Sequence, residues 1–171
     1  MRDGYAVRPA VVSDAEALGQ VHTAIWREAY AGLLPTDYLD ALSAEDSARR
    51  WRLRLEVDEP EALVVVATAG EDEEIVGLAT GGPSRDEDAP TVWELYAINV
   101  LAAHHGTGLA DELVATVVGD RPASLWVLVD NARAQAFYRR HGFAPDGAAK
   151  VHEGTGAPEI RMVRGAVARA H

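Results

Sequence analysis

Apolar residues recur along this chain with two distinct periods, and the alternation between them lays out the elements. Leu18, Val21, His22, Ile25 and Ala29 fall on one stripe at helical spacing. Ser13 with Glu16 forms a capping box for that helix, and Gly32 and Pro35 punctuate its end. A short second helix is predicted over residues 36–42. Ser43 caps a third, amphipathic piece running through Trp51 to Leu55. Tyr5 to Arg8 alternates weakly and reads as a first strand. Residues 62–67 are rich in β-branched side chains, residues 70–74 look like a hairpin turn, and residues 75–80 return as a strand. Residues 81–90 read as a polar, mobile loop. Residues 92–100 form the next apolar run, and Leu109, Leu113 and Val117 continue as a helix ending near Gly119 and Asp120. A strand over 124–129, a helix from Asn131 to His141 stopped by Gly142, and two weaker strands around 148–152 and 159–163 complete the chain.

That order is β, helices, three strands, helix, strand, helix, two strands. It predicts an α/β domain with a mixed sheet. The hairpin-linked strands near the middle should be antiparallel. The strand–helix–strand unit over 92–129 should be a right-handed parallel crossover. No repeat or linker divides the chain, so residues 1–171 read as one domain.

Composition narrows the function. With 16 Lys and Arg against 27 Asp and Glu, the formal net charge is −11. That balance repels nucleic acid and anionic membranes, whose binding needs clustered basic residues. The absence of cysteine excludes disulfides, thiolate metal sites and a Cys nucleophile. No signal peptide or membrane-length apolar run is present, which points to a cytoplasmic protein. Monomer and homodimer are both open. His104 and His105 have no third ligand at suitable spacing, so no metal is expected.

Two segments carry candidate chemistry. Between a predicted strand and a predicted helix lies Ala102-Ala103-His104-His105-Gly106-Thr107-Gly108-Leu109-Ala110-Asp111. A small-residue loop there can turn several main-chain N–H groups outward at a helix start, a setting for a phosphate or pyrophosphate. A glycine pair alone is weak evidence, and a tight turn without ligand is the plain alternative. A dinucleotide-binding fold fits poorly, because the loop falls past mid-chain and Ala110 replaces the third glycine. The second segment opens at Asn131, a good N-cap residue. Tyr138 lies two helical turns further on and shares its face. Helical geometry alone would make Tyr138 a packing residue.

The segment from His105 to Ala110 resembles the acyl-CoA loop of the GNAT superfamily of N-acetyltransferases, whose pattern is Gln/Arg-x-x-Gly-x-Gly/Ala. Asn131-x-x-Ala134-x-x-Phe137-Tyr138-x-x-x-Gly142-Phe143 is similar to that superfamily's second motif. The likeness is strongest over 62–143. His105 departs from it, standing where Gln or Arg is usual; a His can still hydrogen-bond a phosphate, with a pH dependence of its own.

The resemblance implies a mostly antiparallel sheet of six or seven strands with splayed parallel central strands and about four helices. It implies acetyl-CoA as cofactor, held by the main chain of Ile98, Asn99 and Val100, by His105, Gly106, Thr107, Gly108, Leu109, Ala110 and Asp111, and by Asn131. Arg133 or Arg139 would meet the adenosine 3′-phosphate. The reaction implied is direct attack of a primary amine on the thioester, with the Tyr138 hydroxyl supplying a proton to the departing thiolate. Glu94, on the strand beside the cofactor, is the candidate base, and alternation puts Glu94 and Tyr96 on one face. Trp26, Tyr30, Leu33, Leu34, Trp93 and Tyr96, with the 81–90 loop and the 145–157 hairpin, are the candidate acceptor site. The acceptor is expected to be a small-molecule amine. A protein N-terminus or lysine, or a non-catalytic acyl-CoA sensor, are the alternatives.

Overall fold

The computed structural model describes residues 4–58 and 60–165. Along the chain run β1 (Tyr5–Pro9), α1 (Ala15–Ala29), α2 (Thr36–Asp40), α3 (Ala44–Leu55), β2 (Leu63–Ala69), β3 (Glu74–Pro83), β4 (Trp93–Val100), α4 (Leu109–Val117), β5 (Ala123–Leu128), α5 (Ala132–Arg140), β6 (Ala144–Val151) and β7 (Pro158–Arg164). The seven strands form one sheet in the order β1-β2-β3-β4-β5-β7-β6. Every neighbouring pair is antiparallel except β4 and β5. The crossover through α4 makes that parallel pair, as the strand–helix–strand order requires.

The period-two pattern of β2 and β3 sorts their side chains between two cores. Val66, Ile75 and Leu78 pack with Leu18 of α1 and Trp51 of α3. Val65, Ala67, Val76 and Ala79 face the other way, onto Leu109, Leu113, Val114 and Val117 of α4. Both faces of the central strands are therefore covered, which explains why β3 reads as an almost unbroken apolar run. Among the described residues no helix is long and apolar enough to cross a membrane.

Two local expectations fail. The box between Ser13 and Glu16 does not form. A 3-10 turn over Val12–Asp14 precedes α1, and Asp14 takes the organising role. Its carboxylate accepts from the Val11 amide at 2.8 Å and pairs with Arg8 at 2.8 Å. A carboxylate with both an amide and a guanidinium in reach displaces a weaker hydroxyl cap. The 81–90 stretch is not simply a loose loop. Gly81, Gly82 and Pro83 belong to β3, and the two glycines are buried. Each is needed small: a Cβ on Gly81 would lie 2.5 Å from Val117 Cγ1, and one on Gly82 would lie 2.7 Å from the Tyr96 hydroxyl.

Helices α1 and α3 cross closely at Gly19, where a Cβ would sit 2.5 Å from the Ala44 carbonyl and 2.6 Å from the Ala48 nitrogen. Those are main-chain atoms that cannot swing aside. Beside the crossing, His22 packs against Trp51 and Trp26, with Nδ1 3.3 Å from the Ser47 hydroxyl. Burial, and secondarily the charge of Arg50, lower its pKa from 6.5 to about 4.

Gly19→Ala, helpful in an open helix, should therefore destabilise the fold by about 1–3 kcal/mol in urea unfolding. His22 is neutral in the folded chain and takes up a proton near 6.5 in the unfolded one. Its contribution is thus fully present above pH 6.5 and lost as the pH falls toward 4. His22→Phe should flatten the decline of Tm across that window.

Candidate functional site

The sheet is incomplete at its centre. β4 and β5 pair only at Trp93 with Ala123 and at Glu94 with Ser124. On their outer sides both strands stay paired much further, β4 with β3 to Val100 and β5 with β7 to Leu128. Residues 95–100 and 125–128 therefore each turn a main-chain edge into a wedge between them. The β3–β4 register shifts between Thr80 and Gly81, making Tyr96 the extra residue of a bulge in β4. Bulges bend and twist the strand that carries them. This one lies just where β4 leaves β5. Polar main-chain groups in the middle of a sheet need partners, and an extended ligand lying in the wedge can supply them.

The loop after β4 closes one end of the wedge. Gly106 (φ 74°) and Gly108 (φ 89°) occupy left-handed backbone, and Gly108 is the N-cap of α4. The amides of Gly106, Thr107 and Gly108 make no hydrogen bond among the described residues, and that of Leu109 has only a 3.5 Å contact to the Thr107 hydroxyl. First-turn amides of a helix have no partner four residues back. Several N–H groups thus gather at the positive end of α4, which fits a diphosphate.

His105 does not stand free to meet that ligand. Nε2 lies 2.8 Å from the Val100 carbonyl and Nδ1 lies 2.6 Å from Arg133 Nη2. A carbonyl can only accept and a guanidinium can only donate, so the geometry selects the neutral ring protonated at Nε2. With both nitrogens engaged, the ring carries Arg133 to the loop rather than donating to a phosphate itself. Asn131 caps α5, its side-chain oxygen accepting from the Ala134 amide at 3.1 Å. Arg139 lies 3.4 Å from Gln135. Asp111 holds His141 at 2.8 Å, tying the start of α4 to the end of α5.

Tyr138 is buried between Phe137 and Phe143. Its hydroxyl makes no hydrogen bond among the described residues. Burial, with a smaller effect of neighbouring Tyr30, pushes its pKa far up, so the phenol keeps its proton. Tyr138 belongs to the core under α4, and Tyr30 to the cluster at the end of α1.

The opposite face of the wedge is built from α1, α2 and β5. Trp26, Tyr30 and Leu33 gather with Leu34, Leu39 and Leu128. Trp26 lies 4.7 Å from Tyr30 and 6.4 Å from His152, ring to ring, and the Trp26 indole N–H is buried without a partner. Glu94 is 1% exposed, and Arg85 engages both of its oxygens: the guanidinium donates to Oε1 at 2.8 Å and the amide to Oε2 at 2.9 Å. Arg85 also covers the Tyr96 ring at 4.0 Å, which places Glu94 and Tyr96 together. Trp93 stands apart. Its indole donates to the Val117 carbonyl at 3.1 Å and stacks with Arg121 on the α4 side. A residue one place from Glu94 along a strand points the other way.

Arg161, Trp126 and Lys150 were not singled out by the sequence reading. Arg161 of β7 is 6% exposed and bonds Asp86, Asp88 and Asp146 at 3.2, 3.0 and 2.7 Å. Burial works against its charge, but the hydrogen bonds to Asp88, Asp146 and Asp86 prevail and raise its pKa. The acidic run at 86–88, which patterning reads as solvated, is thereby pinned across β7. The available signal was an arginine between Ile160 and Met162 in an apolar strand. Among the described residues no group of three or more His, Cys, Asp or Glu could hold a metal ion.

Known proteins share this architecture. The chain resembles an uncharacterized N-acetyltransferase, YuaI of Bacillus subtilis, with 31% identity over 110 residues, 64% of this chain and 60% of that protein. The match thus spans about three-fifths of the length of that curated relative. The crystal structure of PaiA N-acetyltransferase from Thermoplasma acidophilum in complex with coenzyme A superposes with a TM-score of 0.74 at 18% identity, covering 94% of this chain and 98% of that one. A histone acetyltransferase HPA2 and related acetyltransferase structure from Corynebacterium glutamicum gives 0.69 at 20% identity, covering 98% and 99%. At those identities the likeness is one of fold. The sequence model of the Acetyltransferase (GNAT) family matches residues 21–143, well over half of the molecule, and the chain belongs to that family.

Proposed function

We propose that this protein transfers an acetyl group from acetyl-CoA to a primary amine of a small molecule, by direct attack with both substrates bound. The observation that carries the reading is the wedge itself. It offers extended main-chain groups on two sides, an amide-lined loop at one end and a buried, protonated phenol beside it. A thioester supplies an activated acyl group with a fair leaving thiolate, since thiols ionise near pH 8.5.

Within the wedge, residues 98–100 pair along the pantetheine arm in the manner of an added strand. The amides of residues 106–111 hold the diphosphate, and Arg133, steadied by His105, adds positive charge there. Asn131 steers the entry of α5 beside the arm. The main chain near Ile98 donates to the oxygen that gains charge on attack. Tyr138 hydrogen-bonds the departing sulfur; a phenol with a raised pKa stabilises a thiolate better by hydrogen bonding than by giving up its proton outright. Glu94 receives the proton of the attacking amine, directly or through water, with Arg85 as its partner. Trp26, Tyr30 and Leu33 line the acceptor side, with Tyr96 next to the Arg85–Glu94 pair. Arg161 holds Asp86 and Asp88 of the loop after β3 in place, and a fixed loop on that side supports a small acceptor over a protein chain.

Tyr138→Phe removes only the hydroxyl and leaves the ring packing. It should lower kcat about 100-fold or more in a coenzyme A release assay, with coenzyme A binding and Tm unchanged. An unaltered kcat would remove Tyr138 from the mechanism. Gly108→Val forces a side chain into left-handed backbone. Calorimetry should then show coenzyme A affinity reduced at least about tenfold, while an undiminished affinity would place the diphosphate elsewhere. His105→Ala and Arg133→Ala should each weaken binding, and the double variant should be no weaker than Arg133→Ala, because the two side chains act as one unit.

A further inference from the structure

Lys150 is the only lysine in the 171 residues, and its ammonium lies over the face of the Trp126 ring, 4.2 Å from the centroid. To get there the side chain leaves β6 and crosses β7. Trp126 sits on β5 two residues beyond Ser124, where β5 parts from β4. It shares a strand face with Ser124 and Leu128, and Leu128 packs in the cluster of Trp26, Tyr30 and Leu33. The occupied ring face therefore belongs to the acceptor side of the wedge.

The indole is prepared for a cation. Its N–H donates to both oxygens of Asp86, at 3.1 and 3.0 Å, which fixes the ring and pushes electron density toward its face. Around it stand three carboxylates, Asp86, Asp88 and Asp146, against one buried guanidinium, Arg161, which pairs with all three and lies 5.6 Å from the Trp126 ring centroid, farther than the Lys150 ammonium. Trp126 is partly exposed and Lys150 is exposed at the edge strand β6, so the ammonium can leave without disturbing the core.

We propose that the Trp126 face is a cation subsite for the acceptor, occupied by Lys150 until substrate arrives. The amine that is acetylated must lose its charge before it attacks, so the cation held on Trp126 is a second one. The acceptor class is thus an alkylamine bearing a further cationic group, such as a diamine. This inference rests on the amine acetyltransferase reading and specifies its substrate.

Lysine labelled with 13C gives one side-chain signal set in this protein. The Cε methylene of Lys150 should be shifted upfield by the indole, and 1,4-diaminobutane should return it toward the free-lysine position, whereas 1,4-butanediol should not. In coenzyme A release, kcat/KM should favour 1,4-diaminobutane over butylamine. Trp126→Leu should erase roughly tenfold of that preference, Trp126→Phe less, and Lys150→Ala should lower KM for the diamine. A Lys150 signal unmoved by saturating diamine, or a preference unaffected in Trp126→Leu, would overturn the subsite while leaving amine acetylation intact. If neither amine releases coenzyme A although the cofactor binds, the acetyltransferase reading fails; displacement of Lys150 by the diamine alone would still support the subsite.

Discussion

A sheet that stops pairing in its own middle is the constraint behind the rest of this structure. Two residue pairs join β4 to β5, and then the strands separate while their outer partners continue. Main-chain donors and acceptors cannot be left idle in an interior without cost. The fold does not close the breach with another strand. It surrounds it instead: the loop and first turn of α4 at one end, Tyr138 of α5 beside it, and α1 with α2 over the far face. The bulge at Tyr96 and the side-chain-free approach at Gly81 and Gly82 are the local means by which β4 turns away from its neighbour.

The two sides of the breach differ in character. On the side of the α4 loop the groups are main-chain amides, a helix terminus and the His105–Arg133 pair, all suited to an extended, anionic molecule. On the other side the chemistry is aromatic and acidic. Tyr138 belongs to the cluster under α4 and Tyr30 to the cluster at the end of α1. Arg161 contributes at a distance by gathering three aspartates and holding the segment after β3 in place.

Much of this could be read from residue order. The alternation of periods placed the helices and most strands to within a few residues, because those elements bury at least one face; β6, exposed along nearly its whole length, begins four residues before the strand predicted around 148–152. The glycines at 106 and 108 and the Asn131-to-Phe143 spacing located the loop and α5, since turns and helix caps depend on local backbone geometry. What escaped was tertiary. Nothing near Ser13 reveals that Asp14 will find Arg8, and nothing near 86–88 reveals that Arg161, 73 residues further on, will bind that acidic run. His105 looked like a phosphate ligand until Val100 and Arg133 were seen to occupy both its nitrogens. Trp93 was assigned to the acceptor side although strand alternation from Glu94 sends it toward α4. Lys150 and Trp126 meet only because β7 lies between their strands.

Amide hydrogen exchange with and without coenzyme A probes the breach most directly. Ligand pairing within the wedge predicts that residues 97–100 of β4 and 106–111 of the following loop exchange markedly more slowly when coenzyme A is bound, while β1, β2 and β6 are little changed. Protection confined to other surfaces, with those two segments exchanging as before, would contradict it.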